Sequence, residues 1–231
     1  MFAEIVARYR AAGGVIDSCL EIGSFEVNGS VRQLLNARKH IGVDLIDGPG
    51  VDVVGFGHQV QLGFESFDCV IALETFEHDP HFEHTFANMI RHAKPNGIVI
   101  FTCASKGRLE HGTERTTATD SPGTQKLGLD YYKNLTAKDF RKLECMNKFS
   151  KHLFFFNPIS CDLYFYGIVD SGKAEEALSP QVKRQTLLDI SFGSGSKLKN
   201  LLLFALSIFG ALISDKQIQT LKRKLILVSR R

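Results

Sequence analysis

The chain is most tightly constrained by a series of short, nearly unbroken apolar runs separated by polar loops and helical patterns. "SCLEIG" (18–23), "HIGVDLI" (40–46), "VDVVG" (51–55), "FDCVIAL" (67–73) and "IVIFTCA" (98–104) each read as a strand buried on both faces. Between them, "SVRQLLNARK" (30–39) and "PHFEHTFANMIRHA" (80–93) carry helical spacing. In the second, Asp79 is expected at the N-cap and Pro80 at the first helical position. Apolar strands alternating with helices require a parallel sheet covered on both sides. The pattern then changes. Residues 104–134 are polar, without a clear period, which marks a lid or binding loop. A helix at "TAKDFRKLECM" (136–146) follows, with Thr136 and Asp139 spaced as a capping pair. "KHLFFFN" and "DLYFYGIV" are joined only by a short turn around Pro158, so they pair antiparallel. The expectation is a doubly wound α/β fold with a mostly parallel seven-stranded sheet closed by an antiparallel hairpin. It comprises residues 1–172, followed by a helical C-terminal extension over 173–231.

A chain of 231 residues is long enough for one larger domain, and its net charge of +3 is unevenly spread. Residues 183–231 hold ten Lys or Arg against two acids, so the tail is cationic and the remainder net acidic. Five cysteines in apolar or polar settings, with no CxxC pair, imply reduced thiols. The N-terminus reads as a short amphipathic helix ended by Gly13 and Gly14 rather than a secretory signal, which points to the cytoplasm.

In an open parallel sheet, ligands bind at the carboxyl ends of the strands. Three of these ends carry acids: Glu21, Asp44 and Glu74. Asp44, 23 residues after Glu21, can accept hydrogen bonds from a ribose diol. The loop after the first strand has Gly23 and Gly29 but no GxGxxG phosphate cradle. Acids here suit a ligand with a cationic amino group and a ribose. S-adenosylmethionine has both, together with a sulfonium.

Four ordered segments, "CLEIGSFEVNGSV", "IGVDLIDGPGVDVV", "FDCVIALETFEHD" and "AKPNGIVIFT", resemble the successive signatures of class I S-adenosylmethionine-dependent methyltransferases with a Rossmann-like fold. The resemblance spans about residues 17–170. It implies that Glu21 holds the methionine amino group, with Gly23 letting the backbone approach and Ser24 and Gly29 completing the loop. Asp44 would bind the ribose hydroxyls, Leu45 the adenine, and Leu73 and Glu74 the methionine side. Phe25 and Val27 stand where the family usually has glycines, and Phe56 where it often has an acid.

His78, His81 and His84 lie close together in sequence beside Glu77 and Glu83. That segment matches the family's ordinary turn and helix, so no metal is expected. His78 is the candidate general base. The 104–134 loop offers His111, Arg115, Tyr131 and Tyr132 as candidate acceptor ligands. In the tail, "LLLFALSIFGALI" (201–213) is too short to span a bilayer. With the basic helical pattern after it, the 197–231 segment suits a peripheral membrane surface, a hairpin packed on the domain, or a dimer contact. The catalytic part shows no aromatic-basic platform, so nucleic acid is not expected as a partner. The leading expectation is a methyltransferase acting on a small-molecule or lipid-linked acceptor. Its rival is a non-catalytic module of the same fold that uses the loop and tail to bind a partner.

Overall fold

The computed structural model describes residues 1–172, 180–193, 204 and 214–228. Strands β1 (Ser18–Ile22), β2 (Lys39–Asp44), β3 (Val53–Val54), β4 (Phe67–Leu73), β5 (Ala93–Ala104), β6 (Phe149–Asn157) and β7 (Asp162–Val169) form one sheet in the order β3-β2-β1-β4-β5-β7-β6. The first five pair in parallel, and β7 runs antiparallel to both β5 and β6. Strand order reverses between β1 and β4, so their carboxyl ends open a crevice there.

Each face of the sheet is covered, as continuous apolar strands demand. Helix α1 (Phe2–Ala11) buries Ile5, Val6 and Tyr9 with Cys19, Ile71, Ile98 and Ile100. Helix α3 (Phe82–His92) buries Phe82, Phe86 and Met89 on the opposite face, with Val70, Phe101 and Phe165. That second layer is rich in phenylalanine, and each ring fully withdrawn from water stabilises by about 1.5–3 kcal/mol. Edge-on pairs such as Phe86 with Phe101, 5.5 Å apart, fix its geometry.

Several local expectations are corrected. The ten-residue helix expected at 30–39 is a single turn, α2 (Arg32–Leu35), because Asn36 turns into the left-handed region with φ 46°. Lys94–Gly97 does not precede β5 but lies within it, as an irregularity that Asn96 accommodates at φ 60°. Helix α3 starts after His81 rather than at Pro80. Asp79 still holds its entry, accepting the His81 N–H at 2.7 Å and the Thr85 hydroxyl at 2.5 Å. The 104–134 segment is not without structure: it contains a 3₁₀ turn at Ala118–Asp120 and helix α4 (Pro122–Lys126). Helix α5 (Ala137–Arg141) starts as expected, with the Thr136 N–H and hydroxyl both donated to Asp139.

In the extension, helices α6 (Arg184–Gly193) and α7 (Asp215–Val228) are described. The apolar run 201–213 falls, apart from residue 204, outside the described residues. Helix α7 lies on the domain: Ile218 is buried against Gly107, Lys222 reaches Cys161, and Asp215 accepts the Gly107 N–H and the Asn134 amide. Among the described residues, no helix is long and apolar enough to cross a membrane.

Candidate active site

The crevice is built first by the loop after β1. Gly23 sits at φ +76° and donates its N–H to the Val43 carbonyl at 2.9 Å. A Cβ there would lie 2.1 Å from the Thr75 hydroxyl, so only glycine fits. Ser24 is buried and its hydroxyl has no protein partner. Gly29, at φ +107°, stands in open space at the rim.

Glu21 is buried and its carboxylate meets the His40 Nε2 at 2.7 Å. Sequence reasoning missed His40. The parallel register that sets Cys19 beside His40 is the signal that could have found it. Asp44 accepts the Phe25 N–H at 3.0 Å and the Leu45 N–H at 2.7 Å. Burial pushes its pKa up, and these backbone donors oppose the shift. The Ile46 backbone is a third such donor, and since a carboxylate has about four acceptor positions, one remains for a ligand.

These residues line a cavity of about 440 Å³ together with Leu45, Phe56, Leu73 and Glu74, a size suited to a small organic ligand. Helix α4 forms its far wall: a Cβ on Gly123 would stand 3.0 Å from the Asp44 carboxylate. The 104–134 segment therefore covers the Asp44 end of the crevice as well as the opposite end.

At that opposite end the polar groups are less well matched. Glu74 follows β4 at φ +52° and donates its N–H to Thr102. Burial and the neighbouring Asp162 push its carboxyl up to about 7. Glu77 is fully buried, and burial beside Glu74 raises its pKa strongly. One of its oxygens accepts the Ala104 N–H at 3.0 Å, and the other has no well-placed partner. His78 is 6 % exposed, and no well-formed hydrogen bond reaches either ring nitrogen. Burial and the adjacent His111 push its pKa down to about 4. His111 packs edge-on to His78 with ring centroids 5.1 Å apart.

A second cavity, about 510 Å³, opens here between Glu74, Arg108, His111, Asp120, Ser160 and Lys222. Of the acceptor candidates named from sequence, His111 lines it. Arg115 points away, paired with Glu110 at 2.8 Å and Asp130 at 2.5 Å. Tyr131 borders neither cavity. Tyr132 stands behind the two histidines and donates its hydroxyl to the Leu109 carbonyl or Asn134. Arg108 and Asp162 were not singled out from sequence, since they converge on Glu77 from two separate segments.

This geometry has counterparts among known proteins. A family model described as a methyltransferase domain matches residues 23–101. No curated protein matches the chain significantly. Among solved structures, phosphoethanolamine N-methyltransferase 2 of Haemonchus contortus in complex with S-adenosyl-L-methionine is 14% identical, with a TM-score of 0.50, over 72% of this chain and 52% of that one. The same enzyme with phosphomonomethylethanolamine and S-adenosylhomocysteine gives equal values. The 1,6-didemethyltoxoflavin-N1-methyltransferase of Burkholderia thailandensis is also 14% identical, with a TM-score of 0.49, covering 73% of this chain and 78% of that one. The present chain spans about half the length of the Haemonchus enzyme. Fold and crevice thus define the class I methyltransferase architecture. The methyltransferase-domain match runs from the tip of β1 through β2, β3 and β4 into β5, the strands whose carboxyl ends build the crevice.

Proposed function

We propose that the chain methylates a small-molecule acceptor from S-adenosylmethionine, which binds in the Gly23–Asp44 cavity. The observation carrying this reading is the pairing of an obligatory glycine at the tip of β1 with an Asp44 that keeps a free acceptor position in the same cavity. Bound there, the cofactor supplies an electrophilic methyl group on a sulfonium. Asp44 would take the ribose hydroxyls, Glu21, held by His40, the amino group, and Leu45 and Phe56 the adenine. Leu73 and Glu74 border the methionine side.

The acceptor enters through the second cavity, which meets the first at Glu74 and Asp120. The chain's task is to align the two reactants and exclude water, which α4 and the loop around His111 are placed to do. A lipid-linked acceptor fits the same reading, because α7 borders this cavity through Lys222. The general-base role expected for His78 is not favoured by its setting, since a group held near 4 is a weak base at neutral pH.

Calorimetric titration with S-adenosylhomocysteine tests the cofactor site. Asp44→Ala removes charge-assisted hydrogen bonds worth about 1.5–3 kcal/mol each, so affinity should fall by roughly 100-fold. Tight binding of NADH without binding of the adenosyl ligand would overturn the reading.

A further inference from the structure

We propose that Glu77, His78 and His111 form a binding site for a divalent transition-metal cation at the acceptor end of the crevice. One ligand atom from each of the three lies within 4.8 Å of the others. The expectation of no metal was drawn from His78, His81 and His84 along one segment. The fold instead joins Glu77 and His78, after β4, to a histidine 33 residues further on.

Three independent features point to a cation. The first is unsatisfied donor capacity. Glu77 is 0 % and His78 6 % exposed, yet one Glu77 oxygen has only the Glu74 carboxyl beside it and the His78 ring only the Tyr131 backbone, neither in well-formed hydrogen-bond geometry. Buried polar atoms are otherwise almost always paired. The second is tautomer control. The His111 Nδ1 lies 3.1 Å from the Leu109 carbonyl, so it carries the proton, and the Nε2 lone pair is left facing Glu77 at 3.9 Å. Metal-ligating histidines are commonly fixed in this way through the other ring nitrogen. The third is charge. Glu74 and Asp162 crowd Glu77, and Arg108 is the cation facing them.

Two histidines and one carboxylate suit zinc, manganese or cobalt better than magnesium or calcium, which favour all-oxygen sets. Bonds of about 2.1 Å require the three side chains to close by about an ångström. Three protein ligands leave open positions. Because His111 and Glu74 line the second cavity, those positions would face an oxygen or nitrogen of the acceptor.

The site does not depend on the cofactor reading, and the experiment keeps them apart. The full chain is stripped with chelator, loaded with Co²⁺ or Zn²⁺, desalted and assayed for metal. One equivalent per chain is expected, with visible Co²⁺ absorption bands. His111→Ala should lower affinity by about 100-fold, while His84→Ala, an exposed histidine on α3, should not. Retained S-adenosylhomocysteine binding by the His111 variant establishes that the loss is local. If that variant misfolds, the wild-type chain decides: Mn²⁺ should broaden the ring-proton resonances of His78 and His111 before those of His81 and His84. Substoichiometric uptake, equal uptake by the two variants, or the reverse order of broadening overturns the proposal.

Discussion

Strand β4 begins and ends beside a partly buried carboxylate, and the two are treated in opposite ways. At its amino end, Asp68 accepts the Ser18 N–H at 2.8 Å, the Ser18 hydroxyl at 2.7 Å, the Asp17 N–H at 3.1 Å and the Lys94 ammonium at 2.6 Å. Burial alone would raise its pKa, but Lys94 and Ser18 outweigh it and hold the group below its ordinary value. Just past the carboxyl end, Glu74 is pushed up to about 7 by burial and Asp162, with Thr102 and Arg108 only partly opposing. The amino end is a finished structural clamp tying β1, β4 and β5 together. The carboxyl end holds polar groups whose needs the protein leaves unmet, as expected of a site that completes itself with a ligand.

The largest expected effect comes from breaking the clamp. Asp68→Ala leaves the Ser18 and Asp17 amides and Lys94 without their acceptor, at a cost of about 3 kcal/mol at neutral pH. Because the folded pKa lies below the ordinary 3.8, the stabilisation is fully present above that value and is lost as pH falls through the folded pKa. Urea denaturation should therefore show the wild type and variant converging in acid. S-adenosylhomocysteine affinity should hardly change. If it collapsed in a folded variant, the two ends of β4 would be coupled and the contrast would fail.

Glu74→Gln probes the other end with the opposite sign. Between the ordinary 4.5 and about 7, the folded state keeps a proton that the unfolded state has released. Stability is thus full below 4.5, declines as pH rises through this window, and is flat above it. Each tenfold change in a proton-binding equilibrium corresponds to about 1.4 kcal/mol. In chelator-treated protein, Glu74→Gln should gain about 3 kcal/mol at pH 8, gain nothing at pH 4, and lose turnover. A destabilised variant at pH 8 would show that Glu74 is structural, like Asp68.

The same contrast explains what was legible in the sequence. Gly23, Asp44 and the five parallel strands follow from local patterns, because a strand tip and its loop lie within a few residues of each other. The Phe25 N–H reaches Asp44 only across the β1–β2 neighbourhood that those patterns already imply. The acceptor end has no such local signature. His111 comes from a loop without periodicity, and its partnership with Glu77 and His78 exists only once that loop folds back over β4. Arg115 shows the converse: a cation in the expected loop spends its charge on Glu110 and Asp130 at the surface. Local propensity also overreached at 30–39, where a helical pattern gave way to a left-handed Asn36 after one turn.

The smallest effect sharpens where the lid belongs. Gly123 sits inside α4, in a backbone conformation that alanine also adopts, and alanine favours a helix by up to about 1 kcal/mol over glycine. Its Cβ, however, would stand 3.0 Å from an Asp44 oxygen and 3.2 Å from the Leu45 side chain, so α4 must ease outward by a few tenths of an ångström. The two effects oppose each other in the folded chain, and Gly123→Ala should change stability by about 0.5 kcal/mol or less. They do not oppose each other in binding, because the displaced wall faces the carboxylate assigned to the ribose. S-adenosylhomocysteine affinity should therefore drop about tenfold, a difference of about 1.4 kcal/mol readily resolved by titration. A loop serving only the acceptor would leave that affinity unchanged, and the lid would then belong to the Glu74 end of the crevice alone.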